Sequence, residues 1–76
     1  MEKIFSAHLD VNGKNYEYHV VFENEKYIFN TDEQGSAVPN FSFTREENEW
    51  IPQENIEPGL KEQAISQLEK YLLSQH

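Results

Sequence analysis

The tetrapeptide Val11-Asn12-Gly13-Lys14 constrains this chain more than any other stretch, because it fixes a turn and the pairing of everything around it. An Asn-Gly pair between alternating apolar runs favours a type I′ turn, whose two central residues both need positive φ, and a two-residue loop allows a single register. Val11 then faces Lys14, Leu9 faces Tyr16, Ala7 faces Tyr18 and Phe5 faces Val20. In that register the apolar positions of both strands fall on one side. A slip of one residue would turn all of them to the other. Turn chemistry and apolar pattern therefore specify the same hairpin independently.

A second tight turn, at Asn24-Glu25, sets Phe22 opposite Tyr27, Val20 opposite Phe29 and Glu23 opposite Lys26, which extends the inner face into a third strand. The polar stretch Thr31-Asp32-Glu33-Gln34-Gly35-Ser36 reads as a loop, with the chain resuming at Val38. Phe41-Ser42-Phe43-Thr44 alternates again, Arg45 to Glu49 is a charged turn, and Trp50-Ile51 is a short strand ended by Pro52. In this third hairpin Phe43 faces Trp50 or Ile51, according to whether the loop holds two residues or three.

A face so rich in aromatic side chains needs a cover, and the segment from Glu57 to Leu73 supplies it. Leu60, Ala64, Leu68, Tyr71 and Leu72 share one side of a 3.6-residue helix with Ile65 at its edge, while Lys61, Glu62, Gln63, Glu69 and Lys70 fall outside. Pro58 suits the first helical position, where its missing N–H leaves no bond unmade. Glu57 and Glu62 near the start, and Lys70 with His76 near the end, carry the signs that a helix dipole favours. The expected fold is α+β, in one domain over 1–76. An antiparallel meander of about five strands, over 3–11, 14–23, 26–31, 40–45 and 49–51, carries a C-terminal helix over 58–73 on its aromatic face. Phe5, Leu9, Tyr18, Val20, Phe22, Phe29, Trp50, Leu60, Leu68 and Leu72 are the expected core.

Charge and size narrow the function classes. Fourteen acidic residues against six basic ones give a formal net charge of -8, which repels phosphate backbones and anionic membranes and leaves a basic or neutral protein as the expected partner. A chain of 76 residues has little room for an enclosed active site. Its serines sit in no nucleophile motif, no glycine-rich phosphate loop is present, and neither an enzyme activity nor a cofactor is expected. There is no cysteine, hence no disulfide or thiolate metal site. With no apolar run of membrane-spanning length and no leader-like start, the expected compartment is the cytoplasm.

Two constellations on the outer face bear on function. His8 opposes Glu17, and His19 lies two residues along on the same face. Two imidazoles and a carboxylate are a zinc-binding set in type. The competing account is a solvated histidine–glutamate pair, worth roughly 0.2–1 kcal/mol. Ile4, Val21 and Ile28 form an apolar row that suits a partner or a second copy, unless the segment from Val38 to Ile51 or a terminus folds over it. Tyr16, Tyr18, Tyr27, Phe29 and Phe41 do not suit a stacking platform for single-stranded nucleic acid, because the cations near them, Lys14 and Lys26, are isolated and surrounded by Glu17, Glu23 and Glu25. The functional expectation is a non-enzymatic domain acting through protein–protein contact, using the outer sheet face or the acidic loops, with homodimerisation as one form and a zinc-type site as the alternative.

Overall fold

The computed structural model describes residues 3–32 and 39–74. Most of the loop expected between Thr31 and Val38, and His76, lie outside the described residues. The chain forms β1 (Lys3–Val11), β2 (Lys14–Glu23), β3 (Lys26–Asn30), β4 (Phe41–Glu46), β5 (Glu49–Pro52) and α1 (Pro58–Ser74). The five strands make one antiparallel sheet in sequence order. This is the expected α+β fold, with strand ends displaced by at most one residue.

Three tight turns of the same kind build the meander. Asn12 and Gly13 have φ of 53° and 82°, Asn24 and Glu25 of 53° and 62°, and Glu47 and Asn48 of 48° and 72°. The first two hairpins take the registers read from the sequence, including Ala7 with Tyr18, Val20 with Phe29 and Glu23 with Lys26. The third does not. Glu46 pairs with Glu49, so Arg45 faces Trp50, Thr44 faces Ile51, and Phe43 meets Pro52 in place of either expected partner. Asn48 adopts the left-handed conformation readily and draws the turn toward the end of the charged stretch. Glu25 adopts it at a cost. Glu25→Gly is expected to raise stability by about 0.5–1 kcal/mol, the strain relieved exceeding the added freedom of the unfolded chain. An unchanged urea midpoint would mean that the turn stores no such strain.

Between sheet and helix lies a cluster of buried side chains, among them Leu9, Tyr18, Val20, Phe29, Phe41, Phe43 and Trp50 from the strands. Leu60, Ala64 and Leu68 come from α1, with Ile65 and Leu72 packed at the margin. Phe29 and Phe41 stack at 4.9 Å, and Tyr71 stacks on Phe5 at 4.8 Å, which docks the last turns of the helix on β1. The Tyr18 hydroxyl donates to the Pro39 carbonyl at 2.9 Å, and burial, with a smaller contribution from Tyr16, raises its pKa above the usual 10.0. One expected core residue is misplaced. Phe22 is 47% exposed, because it lies two residues beyond Val20, the partner of Phe5, and so past the contact that Tyr71 makes.

Side chains fasten the helix and its connection to the sheet. The Gln63 carboxamide accepts from Asp10 N at 2.8 Å and donates to Asp10 O at 2.9 Å, standing in for a neighbouring strand at the edge of β1. Glu54 Oε1 accepts from Ser42 N at 2.8 Å, while Gln53 N donates to Ser42 O at 2.9 Å. The helix begins at Pro58 as expected, with Lys61 N donating to Glu57 O. Its dipole is not matched by charge: the first turn has no acidic residue and the last no basic one. Glu57 precedes the helix, and Glu62 and Lys70 fall short of the end turns. No helix among the described residues is long and apolar enough to cross a membrane.

Candidate functional site

Strand alternation places His8, Glu17 and His19 on the outer face, and the register sets His8 directly opposite Glu17. Facing is not gathering. His8 Nδ1 lies 3.2 Å from Asn15 Oδ1, to which it donates in the tautomer protonated there, and Asn15 Nδ2 donates in turn to Asp10 Oδ1 at 3.0 Å. His19 Nε2 lies 3.8 Å from Asp32 Oδ2, and both residues line a shallow pocket with Glu17 and Thr31. Among the described residues no three histidine, aspartate or glutamate side chains are grouped to hold a metal ion. Each imidazole has a nearer partner than Glu17.

The apolar row is altered by a bulge. Lys3 pairs with Val21 and Phe5 with Val20, so Ile4 is the extra residue and packs against the core cluster instead of opposite Val21. Val21 does face Ile28, and Ile28 faces Ser42. Val21 and Ser42, however, are each only 7% exposed. A side chain already withdrawn from solvent gains little by contact, so this row is not the bare surface that the expectation required. Of the rings considered as a stacking platform, Tyr18, Phe29 and Phe41 are buried in the core, and Tyr16 and Tyr27 are half-buried.

Exposed apolar surface lies elsewhere, at the end of the sheet that carries the β2–β3 and β4–β5 turns. Phe22 packs on Tyr27 with ring centroids 4.7 Å apart, Tyr27 meets Trp50 edge-on at 5.2 Å, and the Arg45 guanidinium lies 4.3 Å over the Trp50 ring. Arg45 then lines, with Glu69, Leu72 and Leu73, an open groove of about 270 Å³ beside the end of α1. Phe22 at 47% and Leu73 at 73% are the exposed large apolar side chains among the described residues. Trp50 Nε1 is buried in this row without a hydrogen-bond partner. Glutamates rim the end. Glu23 pairs with Lys26, leaving Glu25 at one turn and Glu46, Glu47 and Glu49 at the other, with Glu46 directly across from Glu49.

Sequence reading missed this end for two reasons. Alternation assigns Phe22 to the inner face but does not say how far the helix reaches. Leu73 could have been found, since it lies off the stripe that Leu60, Ala64, Leu68 and Leu72 define.

The fold and this end define a small α+β domain whose sheet ends in exposed aromatic surface bordered by glutamates. No protein-family model matches the chain, and no curated protein or solved structure does either.

Proposed function

We propose that this chain is a small acidic, non-enzymatic domain that acts by protein–protein contact through the turn-bearing end of its sheet, with homodimerisation as one form of that contact. The observation that carries the reading is the exposure of Phe22 and Leu73, linked to each other through Tyr27, Trp50, Arg45 and the groove beside Leu72. Burial of an exposed aromatic ring and a leucine side chain is worth about 1.5–3 kcal/mol each, which favours a partner that covers both. The absence of cysteine suits a reducing compartment, and the same reading places the protein in the cytoplasm. No observation favours the zinc-type alternative at His8, Glu17 and His19, whose imidazoles are engaged elsewhere.

Photo-crosslinking side chains introduced in living cells test the contact. With the reactive group in place of Phe22 or Leu73, discrete protein adducts are expected, and with it in place of Ser6 on the outer face, none. An adduct of twice the chain mass would identify the homodimer. Equal labelling from all three positions, or labelling from Ser6 alone, would sink the reading.

A further inference from the structure

We infer that the occupant of this end is a second copy of the chain, docked about a two-fold axis along the groove between β4 and the end of α1, so that Arg45 of each copy meets Glu69 of the other. The inference rests on the contact reading above and names the partner. Its basis is the charge on the two walls of the groove. Arg45 comes from the sheet and Glu69 from the helix, with Leu72 and Leu73 beside it. The guanidinium lies over the Trp50 ring instead of closing on the carboxylate, so each wall presents its charge to an occupant. A two-fold rotation about the groove axis exchanges the walls, sets each cation against an anion and forms two ion pairs where the single chain has none. The same rotation carries Leu73, on the helix wall, to the sheet wall of the other copy. That wall is the row Phe22, Tyr27, Trp50 and Arg45, which strand parity places together on the helix side of the sheet. Phe22 and Leu73, the exposed large apolar side chains among the described residues, thus come to lie in one interface, and every contact in it is made twice.

The formal charge of -8 opposes the approach of two copies, but much of it lies off this surface. Glu17, Glu23, Glu46 and Glu49 fall on the opposite face of the sheet, and physiological salt screens exposed charges beyond about 8 Å. An unrelated segment would need an acid and a base at the spacing of these two walls, whereas a second copy supplies both by symmetry. Two exposed apolar side chains and one open groove make a small interface, at the end of the size range where association is transient. The dimer is therefore weak and exchanges with the monomer.

Sedimentation equilibrium from micromolar to millimolar concentration in physiological salt tests the arrangement, with circular dichroism as the check of folding. The unaltered chain is expected to self-associate reversibly. Leu73→Ser should weaken the dimer at least about tenfold, because a substitution in a symmetric interface counts twice. Arg45→Glu and Glu69→Arg should each leave monomer, since each sets like charges against one another across the axis. Mixed in equal parts, those two variants should form a heterodimer, because every contact across the axis then joins a carboxylate to a guanidinium. Glu69 and Leu73 are exposed, so their variants report on the dimer even where Arg45→Glu, which gives up the Trp50 ring, is destabilised. A mixture of folded variants that stays monomeric would overturn the inference, as would a dimer indifferent to Leu73→Ser and Glu69→Arg. A chain that is monomeric throughout, while Phe22 and Leu73 still crosslink to a different protein in cells, would overturn the second copy and leave the contact reading standing.

Discussion

Phe29→Ala is expected to cost at least about 3–5 kcal/mol, the range for deleting a buried ring, and so to remove a large part of the stability of the domain. Phe29 is fully buried and meets four other rings: Phe41 stacked at 4.9 Å, and Phe5, Tyr18 and Phe43 edge-on at 6.5, 6.3 and 6.0 Å. Aromatic pairs add about 0.5–1.5 kcal/mol each beyond area burial, so the cost lies at the upper end of the range or above it. Set against this, 76 residues at roughly 0.05–0.15 kcal/mol apiece give a total stability of about 4–11 kcal/mol. Urea denaturation followed by Trp50 emission and near-ultraviolet circular dichroism measures the effect. A loss under about 2 kcal/mol would mean that the cavity collapses or that the rings are not mutually packed.

How much of this was legible depends on the kind of signal each residue carries. Asn12-Gly13 names its turn, and the alternating residues on either side have a buried face to defend, so the pairing of Leu9 with Tyr16 and Phe5 with Val20 followed from sequence. Glu47-Asn48 names its turn weakly, because four charged residues and one asparagine in Arg45 to Glu49 offer several places to reverse. The pairing of Phe43 with Pro52 therefore could not be read off. The bulge at Ile4 is a local insertion into the ladder, and a pattern of period two cannot register one unpaired residue. Among the other outer-face residues, parity was right and engagement was not: His8 does oppose Glu17, but its ring turns to Asn15. That choice belongs to rotamers and to polar neighbours such as Asp10. The aromatic end was hidden for a related reason. Apolar period gives the side a residue faces, whereas exposure of Phe22 depends on where another element stops.

Leu68→Ala is the sharpest test of that other element, and it is expected to cost about 2–5 kcal/mol. Leu68 is fully buried at the centre of the run Leu60, Ala64, Leu68 and Leu72, each one helical turn from the next, so its side chain sits where the stripe meets the aromatic layer. Its loss removes transfer free energy and leaves a cavity that neither Ala64 nor the rings below can fill without moving the helix, whose position the Gln63 bonds to Asp10 and the Tyr71 stack on Phe5 hold at two separated points. Restraint at those points opposes collapse of the cavity. The cost should accordingly fall in the upper half of the range, and melting should stay a single transition, because sheet and helix share one core and neither buries its apolar face alone. Helical signal lost well before the aromatic signal would show that α1 detaches independently and that the sheet stands without its cover. A loss below about 0.5 kcal/mol, the ordinary surface range, would remove Leu68 from the core and the helix from its place on the sheet.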